Sequence, residues 1–150
     1  MIIKECIGLG FLRTMNQKIH TIDLLNLSFE TTEGDEILQG MKNSHQFYIL
    51  HRHRVASMLS VKKNALARTG KRVPFMIYNA CTHPRFQNRG FMSQLLLHVV
   101  ATLASEGNAS YLYLEVLKKN TPAIRLYRKL GFRSCQDFGE GILMKKRLLS

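Results

Sequence analysis

No stretch of this 150-residue chain approaches the roughly 20 apolar residues that cross a bilayer. Its start, Met1-Ile2-Ile3-Lys4-Glu5-Cys6, shows neither a basic leader nor a long apolar segment. A soluble, cytoplasmic protein with no membrane partner is expected. Cysteine is scarce: Cys6, Cys81 and Cys135 are an odd number with no close pair, which argues against a disulfide framework or a Cys-x-x-Cys metal site. Cys6 and Cys135 are read as small buried hydrophobes; Cys81 is set apart because it adjoins the candidate site below. His20, His45, His51, His53 and His98 lack zinc spacing, and although His51 and His53 would share a strand face, no further ligand accompanies them, so no metal is expected. Internal repeats, low-complexity tracts and Pro/Gly/Ser-rich linkers are absent. At 45% hydrophobic and 21% charged residues the composition is that of an ordinary globular chain. One domain over residues 1–150 is expected.

Acidic residues are missing between Glu36 and Glu106, a stretch that holds ten lysines and arginines. Residues 1–36 carry six acids and three bases, a net of −3; the other 114 carry four acids and 19 bases, a net of +15. A field of that sign draws polyanions: nucleic acid, an acidic protein face or a phosphorylated cofactor. The plain alternative is a solubilising surface. Nucleic acid is admitted as a partner but not favoured, because the bases are dispersed over several predicted elements, with no Arg-rich tract and no zinc-finger or RNP-type signature.

Ile2–Ile7 is a candidate first strand. Leu12, Met15, Ile19, Ile22, Leu25 and Phe29 recur every three or four positions and predict a helix over Phe11–Phe29, with a break allowed for at Thr21. The acidic patch Glu30–Glu36 with Gly34 follows, and Ile37–Met41 begins a short second helix. Gln46–His51 and Val55–Val61 read as a hairpin, Lys62–Arg72 as a basic link, and Val73–Thr82 as a buried strand. Met92, Leu95, Leu96, Val99, Val100 and Leu103 mark a helix of about four turns between Gly90 and Gly107. Tyr111–Val116 alternates as a strand. Asn120-Thr121-Pro122 opens a helix with Thr121 as its cap, Gly131 closes it, and Phe132–Phe138 and Ile142–Arg147 are the last strands. The order β, helices, ββ, β, α, β, α, ββ predicts an α/β or α+β sheet with helices packed on it.

Gln87-Asn88-Arg89-Gly90-Phe91-Met92-Ser93 joins a strand to a helix, so its successive amide N–H groups and the helix dipole would face an anion, with Arg89 as a mobile counter-charge. Alone, such a glycine marks a tight turn more often than a phosphate site. The whole stretch Cys81-Thr82-His83-Pro84-Arg85-Phe86-Gln87-Asn88-Arg89-Gly90-Phe91-Met92 resembles the acetyl-CoA-binding motif of the GNAT superfamily of N-acyltransferases: Gln or Arg, two residues, Gly, one residue, then Gly or Ala. Leu114-Glu115-Val116 followed by Asn120-Thr121-Pro122-Ala123-Ile124-Arg125-Leu126-Tyr127 and its continuation to Phe132 resembles the family's second motif. The resemblance covers Val73–Phe132 well and the first 45 residues hardly at all. Met92 departs from the pattern, standing where the family has Gly or Ala; it fits if its side chain turns into the core, and otherwise narrows the pocket.

The resemblance implies a mixed sheet of about six to seven strands with helices on both faces, in which Val73–Thr82 and Tyr111–Val116 run parallel and splay around acetyl-CoA. It implies that the peptide groups of Cys81 and Thr82 meet the pantetheine arm as a false strand, that Gln87, Asn88, Arg89, Gly90, Phe91, Met92 and Ser93 hold the pyrophosphate, and that Asn120 reaches the arm from the other side. Tyr127 would stand near the sulfur, where a phenol, protonated at neutral pH, gives the departing thiolate its proton. A backbone N–H near Cys81 or Thr82 would stabilise the oxyanion. The base stays open between Glu115 and Tyr78 or Asn79 acting through water; His83 reads as a solvated turn residue. The acids Glu30, Glu33, Asp35 and Glu36 would rim the acceptor pocket and favour a cationic amine, or equally would complement their own helix dipole.

Three readings follow. The first is an acetyl-CoA-dependent N-acetyltransferase, monomer or homodimer, acting by direct transfer in a ternary complex on a lysine, a protein N-terminus or a small amine. The second is a degenerate fold of the same kind that binds nucleic acid or an acidic partner through its basic surface. The third keeps catalysis but changes the acyl donor, since Phe91 and Met92 reshape the thioester end of the pocket.

Overall fold

Alternating apolar positions become strands and the three-to-four spacing becomes helices in a computed structural model, which describes residues 2–9, 12, 15–29, 32–64, 66 and 69–148. Their order is β1 (Ile3–Ile7), α1 (Met15–Phe29), α2 (Gly34–Gly40), β2 (His45–His51), β3 (Arg54–Lys62), β4 (Val73–Thr82), a 3-10 turn (Pro84–Phe86), α3 (Phe91–Glu106), β5 (Ala109–Leu117), α4 (Thr121–Lys129), β6 (Arg133–Asp137) and β7 (Gly141–Arg147). The strands form a seven-stranded mixed sheet in the order β1-β2-β3-β4-β5-β7-β6. β4 and β5 pair in parallel, from Val73–Ala109 to a last rung at Ile77–Leu114, while β1–β2, β2–β3, β5–β7 and β6–β7 are antiparallel. This is an α/β architecture as expected from the element order, and the mixed sheet and its parallel pair are those the resemblance implies.

The chain divides into two compact units. The first comprises Met1–Val61 and Asn79–Leu96. Leu24 and Leu25 of α1, Leu38 of α2 and Met41, Tyr48, Val55, Met58 and Cys81 form its buried cluster. Thr21 does not break α1; it is fully buried within it. Phe11, where that helix was expected to start, lies outside the described residues. α2 starts earlier than Ile37 for a steric reason. The Gly34 N–H donates to Asn26 Oδ1 at 2.7 Å, and a Cβ at Gly34 would stand 2.6 Å from the Ile22 carbonyl, so only glycine allows so close an approach to α1.

The second unit comprises Lys62–Tyr78 and Leu97–Ser150. Phe75, Ile77, Val99, Leu103, Leu112, Leu114, Val116, Tyr127, Phe132 and Met144 are among its buried apolar residues. α4 is capped by Asn120 rather than Thr121: Asn120 keeps non-helical backbone angles, and its Oδ1 accepts from the Ala123 N–H at 3.4 Å. Asparagine caps at least as well as threonine, so the earlier residue takes the role. Cys135 is another correction. It is exposed on β6, where its Sγ lies 3.4 Å from the Leu143 carbonyl, and Cys6 is half-buried, so only Cys81 is a core cysteine.

Candidate active site

The turn after β4 is built around two left-handed residues. Asn88 has φ +61° and Gly90 φ +77°, on either side of Arg89. That alternation curls successive N–H groups into a concave run of the kind that binds anions. α3 begins at Phe91, and the Gln94 N–H donates to the Gly90 carbonyl at 3.0 Å, so the amides of the first turn have no intrahelical acceptor. A Cβ added at Gly90 would meet nothing within 4 Å. Glycine is needed there for its backbone angle, and the space beside it is open. Phe91, Met92 and Ser93 are half-buried in that first turn.

Aromatic rings brace the turn. Phe86 packs against His51, His83 and Phe91 at centroid distances of 4.8, 5.6 and 6.3 Å, and the Arg89 guanidinium lies over the Phe86 ring at 5.4 Å. Gln87 folds back, its Nε2 donating to the Thr82 carbonyl at 3.3 Å, so its side chain holds the turn and its amide remains for an anion. The Cys81 carbonyl accepts from Ser57 Oγ at 3.3 Å, and Ser57 and Thr82 hydroxyls share a hydrogen bond of 2.9 Å. The Cys81 and Thr82 carbonyls thus each accept a side-chain hydrogen bond, from Ser57 and from Gln87. Ser57 did not stand out in the sequence, and His51 was weighed only as a metal ligand and not as a neighbour of Phe86: a serine in a buried strand and rings distant along the chain give no spacing signal.

Two titratable groups here are removed as bases. Burial pushes the Cys81 thiol up to about 12, with the Ser28 side chain pulling the other way, so it stays protonated at neutral pH. His83 is held below the usual histidine value by burial and by Arg85, Arg54 and His20, against the pull of Asp23. Its Nδ1 accepts the Arg85 N–H at 3.1 Å, which leaves the proton of the neutral ring on Nε2. His83 caps the 3-10 turn. Of the acids read as an acceptor rim, Glu30 lies outside the described residues; Glu33 sits at the N-cap position of α2, and Asp35 and Glu36 are exposed in its first turn, where they complement the dipole.

Tyr78, Glu115, Asn120 and Tyr127 belong to the second unit. Glu115 is exposed on β5, opposite Leu143. Tyr127 is buried in the last turn of α4, which ends in a Schellman closure: the Phe132 N–H donates to the Tyr127 carbonyl at 2.9 Å and the Gly131 N–H to that of Arg128 at 3.0 Å, with Gly131 at φ +97°. The Tyr127 and Phe132 rings meet edge-on at 6.0 Å, which fixes the phenol's direction. Asn120, spending Oδ1 on the cap, keeps its amide NH2 as a donor. Among the described residues no cluster of histidine, cysteine and carboxylate side chains could hold a metal ion, and no helix is long and apolar enough to cross a membrane.

A strand, a turn of two left-handed residues and a helix make up a segment of the kind whose helix N-terminus can face an anion. The model of the acetyltransferase (GNAT) family matches residues 16–132, and the chain belongs to that family, whose acyl donor is acetyl-CoA. The [ribosomal protein bS18]-alanine N-acetyltransferase of Salmonella typhimurium is 41% identical over 56 residues, a stretch that spans 37% of this chain and 37% of that relative. The solved ribosomal-protein-S18-alanine N-acetyltransferase of Escherichia coli superposes with a TM-score of 0.75 at 16% identity, covering 99% of this chain and 96% of the other. The PaiA N-acetyltransferase of Thermoplasma acidophilum, solved in complex with coenzyme A, gives 0.72 at 14% identity over 98% and 99% of the two chains.

Proposed function

We propose that this chain transfers an acetyl group from acetyl-CoA to the α-amine of a protein N-terminus, by direct attack within a ternary complex. The observation that carries this is the pair of left-handed residues, Asn88 and Gly90, leading into the first turn of α3, with open space beside Gly90. Such a concave run of amides suits a diphosphate. The amides of Gln87 to Ser93 bind it, Arg89, steadied on Phe86, neutralises charge, and Asn120 donates to the pantetheine arm. When bound, the coenzyme supplies an activated acetyl thioester. A main-chain N–H near Cys81 or Thr82 would stabilise negative charge on the carbonyl under attack, and the Tyr127 hydroxyl would provide the proton for the leaving thiolate.

The groups at the end of β4 and the relatives' names favour one acceptor. The Cys81 thiol stays protonated and His83 Nδ1 is engaged, so neither serves as a strong base. An α-amine, with an ordinary pKa near 8, is already neutral in about a quarter of molecules at pH 7.5, roughly two-hundred-fold more than a lysine amine near 10.4. Glu115 or Tyr78, through water, then suffices to take the remaining proton. The S. typhimurium and E. coli proteins are both named for acetylating an N-terminal alanine. Mass spectrometry on peptides incubated with acetyl-CoA tests this. Acetylation of an alanine-initiated peptide, with little of an N-terminally blocked lysine peptide, is expected; the reverse preference would overturn the acceptor assignment, and no acetylation of any amine the activity itself.

A further inference from the structure

The antiparallel register of the second unit sets aromatic and basic side chains on one sheet face. Tyr111 pairs with Arg147 and Tyr113 with Lys145 across β5–β7, and Arg133 of β6 stands opposite Lys145 from the other side. Directly opposed residues share a face, and so do residues two apart. The intervening positions, Leu112, Leu114 and Met144, are buried on the opposite face. The tyrosine centroids lie 6.2 Å apart, and the Lys145 ammonium sits 5.1 Å over the Tyr111 ring. Both tyrosines and Lys145 are half-buried, while Arg133 and Arg147 are exposed. From this we infer that the β5–β7–β6 face is a docking surface for single-stranded nucleic acid. Two neighbouring rings on a sheet offer successive platforms for unstacked bases, and flanking cations track the phosphates. The charge chooses the occupant. Glu115 is the one acid that β5 contributes to this face, at its far end, so a second copy docked symmetrically would oppose cation to cation, whereas a polyanion with aromatic bases satisfies both rings and charges. On binding, a base replaces the Lys145 ammonium over Tyr111 and a phosphate receives that ammonium.

Fluorescence anisotropy of a short labelled oligouridylate titrated with the full chain tests this. Saturable binding is expected, tighter than to a duplex of equal length. The plot of log affinity against log salt should have a slope of about −2 if three cations engage. Replacing Tyr111→Leu with Tyr113→Leu should weaken binding at least tenfold, and Tyr111→Phe with Tyr113→Phe should restore it, because stacking needs the ring and not the hydroxyl. Should the leucine pair fail to fold, Lys145→Gln with Arg147→Gln carries the test by reducing the slope by about 1.4. The inference is overturned by absence of saturable binding at low salt, by equal binding to duplex, or by displacement with polyglutamate as effective as with unlabelled oligonucleotide. It is overturned equally if Arg125→Gln with Lys129→Gln, exposed cations on α4, costs as much affinity as the face variants do.

Discussion

Gly90 and Gly131 both hold left-handed backbone angles, and they do opposite work. Gly90, at φ +77°, opens α3 and leaves amides facing outward with open space beside them. Gly131, at φ +97°, closes α4, and the amides of Gly131 and Phe132 both go to carbonyls of the last turn. One turn keeps its polar groups unspent for a ligand; the other spends them to hold the buried Tyr127. The same residue type thus opens one helix and closes another, and the neighbouring hydrogen bonds tell which.

Variants on the two sides should separate accordingly. The largest effect is expected from Tyr127→Phe, which keeps the ring and its contact with Phe132 but removes the proton: kcat should fall about 10²- to 10⁴-fold, with acetyl-CoA affinity within about twofold by calorimetry. An unchanged kcat would leave α4 with a purely structural role. Thiol reactivity comes next. At pH 8 only about one Cys81 side chain in ten thousand is a thiolate, its pKa being about 12. A maleimide should therefore modify the exposed Cys135 quickly and Cys81 only on unfolding, as peptide mapping by mass spectrometry would show.

The glycines themselves give smaller and divergent effects. Gly131→Ala should lower stability by roughly 1–2 kcal/mol, the usual cost of a side chain in the left-handed region, read as a denaturant midpoint, with acetyl-CoA affinity little altered. Gly90→Ala should cost similar stability and in addition weaken acetyl-CoA by roughly tenfold, since relaxing that angle turns the amides away. Equal loss of affinity in both would erase the distinction. The smallest effect concerns His83. Its folded pKa is below the unfolded value near 6.5, so the unfolded chain binds more protons in that window. Its contribution to stability is complete above about pH 6.5 and declines as pH falls through the folded value. A flatter profile of midpoint against pH is expected for His83→Asn.

Legibility in the sequence followed the range of the interactions. Val73–Thr82, the turn to Gly90 and the helix beyond it were readable because strand alternation, a turn glycine and three-to-four spacing are all local. The GNAT resemblance rests on that segment together with Leu114–Val116 and Asn120–Phe132. The cap of α4 was placed one residue late because Asn120 and Thr121 are both good caps, and only the backbone angle decides. The start of α2 and the support of the turn by Ser57 were hidden for another reason: Gly34 is required by Ile22 and Asn26, and Ser57 acts on residues 24 and 25 positions away. Cys135 was read as buried from residue type alone, whereas β6 is an edge strand with every residue exposed.

The account depends on main-chain amides in the turn before α3 gripping a diphosphate. Amide chemical shifts from ¹⁵N-labelled protein, followed during titration with acetyl-CoA and separately with acetyl-pantetheine, measure this at each residue. Asn88 to Ser93 should shift strongly with acetyl-CoA and barely with the diphosphate-free compound. Amides that stay in place at saturating acetyl-CoA would contradict it.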